Sequence, residues 1–400
     1  MSDATTTLPG IRAAEADTDE EFRTALRTWL ADNHPGRRPK DPAERLAWQK
    51  HWLAMLYDAG FAGPSWPREF GGMDLPFTRQ VIYQEEYGRA HLPGALATGL
   101  GIAGPTLIAY GTEEQKRRFL PAMLRGDQVW AQGYSEPEAG SDLPALRTTA
   151  RRDGDEYVVN GQKVWNTGAD LADIIFTLVR TGTQESRQKG ITYLLIDAHA
   201  PGVTIRPLRD ITGGADFSEI FLEDVRVPVE NRVGEENDGW RLARTSLGHE
   251  RAASTMNQAA MYRRVVDELI ELARERGATA DPLVRDRLAD FEIRVRIMRY
   301  QGMRTIESII ARGEPGPGAS TSRLYISGFE QDLHEFALEL LGSYATLGRS
   351  DRHAVQRGRW VWGFLKTRAS TIGAGTSEIQ RNTIAEQVLD MPRDPSMPAR

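Results

Sequence analysis

Apolar positions in the first 130 residues recur at the spacing of amphipathic helices. One helical face is formed by residues at i, i+4, i+7 and i+8, namely Phe22, Leu26, Trp29 and Leu30. A second helix is predicted over 41–60, where Asp41 precedes a proline at the first helical position and Gly60 ends the run. A third begins at Thr112, which forms a T-x-x-Q capping box with Gln115. The pattern therefore predicts a helical N-terminal region.

After residue 131 the pattern changes to short apolar runs separated by polar turns. The pair Asn160-Gly161 stands between two apolar runs and predicts the turn of a β-hairpin. Further strands are predicted at Ile174–Val179, Ile191–Ile196, Val203–Ile205 and Ile220–Val227. Long helical patterns are missing here, so we predict an antiparallel β domain.

The helical spacing returns after Gly239. Long amphipathic runs are predicted at Arg241–Arg276, Ala280–Arg312, Ser320–Leu341 and Ser377–Met391. The last run starts with an S-x-x-Q capping box of Ser377 and Gln380. The predicted fold class is an α+β multidomain protein whose parts are a flexible tail (1–17), an N-terminal α-helical domain (18–130), a middle antiparallel β domain (131–238) and a C-terminal four-helix-bundle domain (239–400).

Composition excludes several classes of binding and catalytic chemistry. Fifty basic and 56 acidic residues give a net charge of −6, so the chain lacks an overall positive field for nucleic acid. The absence of cysteine excludes disulfides, thiol nucleophiles and cysteine-ligated metals, and indicates a cytoplasmic protein. The uncharged stretch 92–110 contains two prolines and four glycines, so we predict a buried helix there and no membrane span. Carboxylate or cofactor chemistry remains.

Three segments carry turns and side chains that suit a cofactor. Residues 134–142 (YSEPEAGSD) form a rigid turn with hydroxyls that can contact a phosphate or a heteroaromatic ring. Residues 165–168 (WNTG) place an aromatic plane and a hydroxyl two positions apart. Residues 373–382 (GAGTSEIQRN) put two glycines before a helix start, whose N–H groups favour anions. Taken singly, each also fits an ordinary linker, sheet face or helix start.

Together these segments resemble the acyl-CoA dehydrogenase family. The resemblance rests on YSEPEAGSD, on GDEYVVNGQKVWNTGA about twenty residues later, and on GTSEIQRNTIAEQVL near the C-terminus. SEIFLEDVRVP, before the second helical region, also looks like the family's segment at that place. Because the order of helical, β and helical regions matches as well, the resemblance spans nearly the whole chain.

The resemblance implies FAD as the cofactor, bound between the β domain and the C-terminal helices. Gln132, Ser135 and Ser141 are then expected to contact the flavin or its pyrophosphate. Trp165 is expected to pack on the isoalloxazine, and Thr167 to hydrogen-bond near N5.

Further cofactor contacts are implied for the C-terminal domain. Thr376 and Glu378 are expected to reach the FAD of a subunit pair. Arg276 aligns with the arginine that the family brings from a neighbouring subunit to the FAD phosphates, although Gly277-Ala278-Thr279 replaces the aromatic-glycine pair usually found after it.

The catalytic base is the main difference from many family members. Dehydrogenation of an acyl thioester needs a carboxylate to take the α proton, and many members carry it just before the Gly-Thr of the last motif, where this chain has Ala374. Some members carry a glutamate before an arginine on the first long C-terminal helix, which corresponds here to Glu250 and Arg251. We therefore predict Glu250 as the catalytic base; the alternative is a solvated or Arg251-paired glutamate.

The resemblance implies α,β-dehydrogenation of an acyl-CoA thioester to a trans-2-enoyl product, with electrons passed to an electron-transfer flavoprotein. An acyl-carrier-protein thioester is an open alternative to the acyl-CoA. The implied assembly is a homodimer, homotetramer or heterotetramer. Two alternatives remain open: a flavin monooxygenase or nitroalkane-type oxidase on the same fold, and a base-poor partner subunit of a heteromeric dehydrogenase. The histidines lack a ligand-pair spacing, so no metal site is predicted.

Overall fold

The computed structural model describes residues 8–39, 41–90, 92–93, 96, 98–312, 316 and 318–392. The chain divides into two compact units. Unit 1 comprises Met1–Leu208 and Ala215–Glu250, and unit 2 comprises Arg209–Gly214 and Arg251–Arg400.

The N-terminal part of unit 1 is helical, as predicted. Its helices are α1 (Pro9–Ala14), α2 (Asp19–Asp32), α3 (Pro42–Asp58), α4 (Phe77–Arg89), α5 (Gly104–Tyr110) and α6 (Glu113–Arg125), with a π-helical turn at Gly99–Ala103 before α5. Thr112 and Gln115 form the predicted capping box of α6. The tail expected over 1–17 contains α1, whose Ala13 lies in the core; residues 1–7 lie outside the described residues.

The rest of unit 1 is dominated by one eight-stranded sheet. Its strands are β1 (Trp130–Gly133), β2 (Thr149–Asp153), β3 (Glu156–Thr167), β4 (Ile174–Arg180), β5 (Ile191–Asp197), β6 (Val203–Leu208), β7 (Phe217–Pro228) and β8 (Arg232–Val233). The order is β6-β7-β3-β2-β4-β5-β8, and β1 pairs with β4. Most pairings are antiparallel as predicted, but β1 and β2 each pair with β4 in parallel, so the sheet is mixed at this point.

The predicted hairpin turn at Asn160-Gly161 is wrong. The turn lies instead at Gly154, between β2 and β3, and β3 runs through Gly161. Gly161 follows a bulge whose extra residue lies in β7, where Glu223 and Asp224 face Asn160 alone. Gly161 has φ +154°, and a Cβ there would lie 2.5 Å from Thr148 Oγ1. Glycine is required here because the neighbouring backbone comes so close, which explains a residue that the sequence pattern assigned to a turn.

Gln115 connects the helical part of unit 1 with the end of the sheet. Its Oε1 completes the cap of α6, and its Nε2 donates to the carbonyl oxygens of Glu230 and Arg232 at 2.7 and 2.8 Å. The same hydrophobic core contains residues of the helices and of the sheet, for example Phe119 edge-on against Trp130 with ring centroids 5.3 Å apart. Helices and sheet in unit 1 therefore share a core, and a second hydrophobic cluster lies within the β region.

The C-terminal region is helical, as predicted, with helices α7 (Gly239–Glu275), α8 (Pro282–Arg312), α9 (Ala319–Leu341), α10 (Arg359–Thr367) and α11 (Ser377–Gln387). The predicted cap of α11 is wrong: Thr376 is the N-cap, and its Oγ1 accepts from Ile379 N at 3.2 Å. Gln380 instead donates to the carbonyl oxygens of Ala374 and Gly375. In the part of the chain that the structure describes, no helix has both the length and the apolar character needed to span a membrane.

Candidate active site

A buried ion pair fixes the segment 134–142. Lys163 on β3 is fully buried, and its Nζ donates to Glu136 Oε1 at 2.8 Å and to the carbonyl oxygen of Tyr134 at 3.1 Å. Glu136 also accepts from the backbone N–H groups of Arg147 and Thr148. Burial alone raises the pKa of Glu136, but Lys163 and these hydrogen bonds outweigh burial and lower it. The carboxylate therefore stays charged and holds the segment against β3.

Beside this pair, β3 itself contains a bulge, at Trp165. The pairing with β7 is interrupted between residues 163 and 166, so Val164 and Trp165 lie opposite Glu219 alone. Trp165 has φ +63° and is 63% exposed, while Val164 and Asn166 are buried. A left-handed conformation is a true outlier for a bulky residue, and such strain is often found at ligand sites. The bulge directs an indole ring outward from the sheet.

The predicted flavin contacts of unit 1 lie around this bulge. Asn166 Nδ2 donates to the carbonyl oxygen of Gln132 at 2.6 Å, and Val164 N donates to that of Ser135 at 3.0 Å. These two bonds join β1 and the segment 134–142 directly to β3. Ser141 is exposed, further along the same segment. Gln132 and Ser135 are thus hydrogen-bonded to the residues on either side of Trp165, one of which also precedes Thr167. Of the five predicted positions, Ser141 is the one outside this group.

Thr167 lies two residues beyond Trp165 and is exposed like it. Because Asn166 between them is buried, Trp165 and Thr167 share the exposed side of β3. Phe217 on β7 meets the Trp165 ring edge-on, with centroids 6.1 Å apart. An exposed indole plane with a neighbouring hydroxyl fits a flat heteroaromatic ring such as that of a flavin.

The remaining predicted cofactor residues belong to unit 2. Thr376 is half-buried and caps α11, so its hydroxyl oxygen is already engaged with Ile379 N. Glu378 is exposed in the first turn of α11 and pairs with Arg381 at 3.3 Å. Arg276 directly follows α7, is exposed, and stacks over the ring of Tyr344 at 5.0 Å.

The turn that precedes Thr376 is held by two side chains that the sequence analysis did not select. Arg323 on α9 donates from Nη2 to the carbonyl oxygens of Ser370 and Gly373, at 2.8 and 2.9 Å. Gln380 Nε2 donates to the carbonyl oxygens of Ala374 and Gly375, at 3.1 and 3.3 Å. Ala374 and Gly375 have φ values of +54° and +87°. We call residues 370–376 the carbonyl-clamped turn.

Position 250 lies within α7, but the side chain of Glu250 lies outside the described residues. One helical turn earlier, Ser246 forms a buried hydrogen bond with Thr106 Oγ1 at 2.7 Å, and Thr245 Oγ1 is 2.9 Å from the Tyr110 hydroxyl. These contacts fix the first turns of α7 against α5. Ala374, the position at which the resemblance predicts the base of many family members, carries only a methyl group.

Three family models match the chain in order. They describe the acyl-CoA dehydrogenase N-terminal domain (residues 16–127), middle domain (131–225) and C-terminal domain (237–389). The chain belongs to the acyl-CoA dehydrogenase family, as its motifs predicted, and is therefore related to flavoprotein oxidoreductases.

Individual relatives are similar over almost their full length. Acyl-CoA dehydrogenase IpdE1 of Mycobacterium tuberculosis is 41% identical over 391 residues, covering 94% of this chain and 98% of that protein. Among solved structures, the ChsE4-ChsE5 complex from Mycobacterium tuberculosis matches with a TM-score of 0.79 and 34% identity, over 95% of this chain and 99% of that one. The Tcur3481-Tcur3483 steroid ACAD matches with a TM-score of 0.81 and 32% identity, over 94% and 98%.

Proposed function

We propose that this chain binds FAD and dehydrogenates an acyl-CoA thioester between its α and β carbons, giving a trans-2-enoyl thioester. The observation that carries the proposal is the Trp165 bulge: a strained, exposed indole with Thr167 beside it, fixed by bonds to Gln132 and Ser135. When bound, FAD supplies the acceptor for the β hydride. In this proposal electrons then pass to an electron-transfer flavoprotein.

We assign roles to the chain's own residues as follows. Trp165 and Thr167 orient the flavin ring, and Gln132, Ser135 and Ser141 contact the flavin or its pyrophosphate. Thr376 and Glu378 contact FAD from the C-terminal domain, and Arg276 contacts the FAD phosphates of a neighbouring subunit. Glu250 takes the α proton, because Ala374 has no group that accepts one. Backbone N–H groups polarise the thioester oxygen.

For the substrate, we propose a bulky acyl group of steroid type. Support comes from the similarity to the steroid ACAD and from the methyl group at position 374, which leaves more room than a glutamate does. The decisive measurement is the visible spectrum of the purified protein, followed by anaerobic titration with butyryl-, isobutyryl-, octanoyl- and cholanoyl-CoA. We expect cholanoyl-CoA to bleach the flavin fastest. A protein that cannot be loaded with FAD contradicts the proposal.

The base is tested by Glu250→Gln. We expect bound flavin to remain while substrate-dependent bleaching slows by about 10²- to 10⁴-fold, the usual contribution of a general base. Glu271→Gln is the matched control, since Glu271 lies on the same helix but is exposed and pairs with Arg274 at 3.3 Å. Bleaching of Glu250→Gln at the wild-type rate rules out the assignment.

A heteromeric assembly is the second candidate, favoured by the similarity to the ChsE4-ChsE5 complex. In that case a companion chain completes the cofactor site. The chain purified alone then contains no FAD and shows no turnover until the companion is co-expressed. FAD binding and turnover by the chain alone favour a homo-oligomer.

A further inference from the structure

The side chains that hold the carbonyls of the carbonyl-clamped turn also fix the direction of its N–H groups. In a planar trans peptide, the carbonyl of one residue and the N–H of the next point in opposite directions. Arg323 holds the carbonyl of Gly373, so the N–H of Ala374 points away from Arg323. Gln380 holds the carbonyls of Ala374 and Gly375, so the next two N–H groups point away from Gln380.

Among the described residues, none accepts a hydrogen bond from the backbone N–H of Ala374, Gly375 or Thr376. Three successive donors with no acceptor in the part of the chain that the structure describes suit an oxygen that gains negative charge, as the thioester carbonyl oxygen does when the α proton leaves.

We propose that Arg323 and Gln380 are positioning residues that aim the peptide N–H groups of residues 374–376 at the thioester oxygen. The proposal rests on the proposed function and adds two residues that do not touch the substrate. Both clamps are specific. Arg323 donates from one nitrogen, Nη2, to two carbonyls three residues apart. Gly375 at φ +87° brings its carbonyl to the amide of Gln380, and a Cβ there would lie 2.6 Å from that amide nitrogen.

Nearby contacts make the turn rigid from the same helix. Gln331, two turns after Arg323 on α9, donates from Nε2 to the carbonyl oxygen of Thr367 and to Thr371 Oγ1, at 3.1 and 3.3 Å. Preorganised donors are worth far more than donors that must reorient during the reaction. Loss of Arg323 therefore frees the carbonyls of Ser370 and Gly373, while the hydrogen bonds from Gln331 to Thr367 and Thr371 remain.

The test compares Arg323→Met with Arg294→Met. Arg294 is a matched control, because it is partly buried in unit 2 and joins α8 to Asp332 of α9 at 2.8 Å but does not contact the carbonyl-clamped turn. Hydrogen exchange is measured first, without substrate. We expect the amides of Ile372 and Gly373, which donate to the carbonyl oxygen of Ala369, to exchange at least ~10-fold faster in Arg323→Met and to stay unchanged in Arg294→Met. Unchanged exchange in Arg323→Met overturns the proposal.

The second arm reads the substrate carbonyl. Isotope-edited infrared spectra are recorded with 3-thia analogues of octanoyl- and cholanoyl-CoA, in which sulfur replaces the β carbon so that no hydride can leave. We expect Arg323→Met to lose at least about half of the lowering of the carbonyl frequency, with kcat reduced ~10- to 100-fold and KM changed less than ~3-fold. Arg323→Lys should recover part of both. An unchanged carbonyl frequency overturns the proposal even if exchange quickens.

Two further outcomes separate this proposal from the proposed function. If Arg323→Met does not fold, Gln380→Met takes its place, with the same expected changes. If none of the four thioesters bleaches the flavin of the wild-type protein, the proposed function has failed. An unchanged exchange rate in either variant refutes the clamp independently of that result.

Discussion

Replacing Lys163 by methionine removes the cation from the buried pair that holds segment 134–142. Methionine has a similar length, so the change leaves little cavity but removes two hydrogen bonds from Nζ, to Glu136 and to the carbonyl of Tyr134. Leaving a buried charge without its partner costs about 3–5 kcal/mol. Glu136 keeps two backbone N–H donors, from Arg147 and Thr148, so we expect a loss near the lower end, about 3 kcal/mol.

The assay is thermal unfolding of the purified protein at two pH values. For a unit of this size, ~3 kcal/mol corresponds to a fall in Tm of roughly 6–12 °C. Without Lys163, burial raises the pKa of Glu136 in the folded state above its unfolded value. The variant therefore loses stability as pH rises from the unfolded-state pKa of Glu136 to its raised folded-state pKa. The difference in stability between variant and wild type should be larger at pH 8 than at pH 5.

Lys116→Met is the matched control, because Lys116 forms an ion pair with Glu113 at 2.9 Å on the surface of α6, and Glu113 is exposed. Surface pairs of this kind contribute about 0–1 kcal/mol, so we expect a change in Tm of no more than ~2–4 °C. We also expect Lys163→Met to bind flavin more weakly, because the pair fixes Ser135 and its neighbours. An equal effect of the two substitutions, or a deficit independent of pH, refutes the reasoning.

Two more perturbations test the packing of unit 1. Hydrogen bonds from Arg27 and its neighbours lower the pKa of buried Glu86 to about 2; the stability this gives is present above pH ~4.5 and is lost as pH falls toward 2. Glu86→Gln should abolish this part of the loss of folding stability at low pH, as measured by urea unfolding between pH 2 and 6. The pKa shift corresponds to at most about 3 kcal/mol, and the contribution is smaller because Arg27 is half-exposed. Gly161→Ala should destabilise by about 1–3 kcal/mol, since its Cβ would lie 2.7 Å from the Thr148 backbone. Gly154→Ala meets no atom within 4 Å and should cost no more than about 1 kcal/mol; equal Tm values for the two variants contradict the close approach of Thr148 to Gly161.

Much of the fold was predictable because each element carries its own local signal. The capping box of Thr112 and Gln115 and the spacing of Phe22, Leu26 and Leu30 depend on residues three to eight positions apart. Such signals are complete within one element, so a single sequence contains them.

The errors arose where a distant neighbour overrides the local signal. Asn160-Gly161 has the composition of a turn, but β7 pairs with β3 on both sides of it, and the close approach of Thr148 then requires a glycine. At α11, Thr376 and Ser377 are both good caps, and the sequence alone does not distinguish them. The left-handed φ of Trp165 is likewise set by pairing across the sheet.

The candidate site shows the same division. The motifs selected Trp165 and Thr376, because these lie in recognisable runs of sequence. Lys163 and Glu136 are 27 residues apart, and each has the appearance of a solvated charge in its own segment. Arg323 is 47 residues from the carbonyl of Ser370 that it holds. Long-range polar contacts of this kind have no periodic signature, so only the structure identifies them.

The side chain of Gln115, which caps α6 and also holds the end of the sheet, bears on how this family can be recombined. Family models place a boundary between residues 127 and 131, which invites chimeras that exchange the β domain there. A breakpoint at that position would make Gln115 rely on backbone carbonyls from another parent in place of those of Glu230 and Arg232, and would take Phe119 and Trp130 from different parents. A chimera that exchanges the helices and the sheet together, with its junction after the first turns of α7, takes both sides of these contacts from one parent.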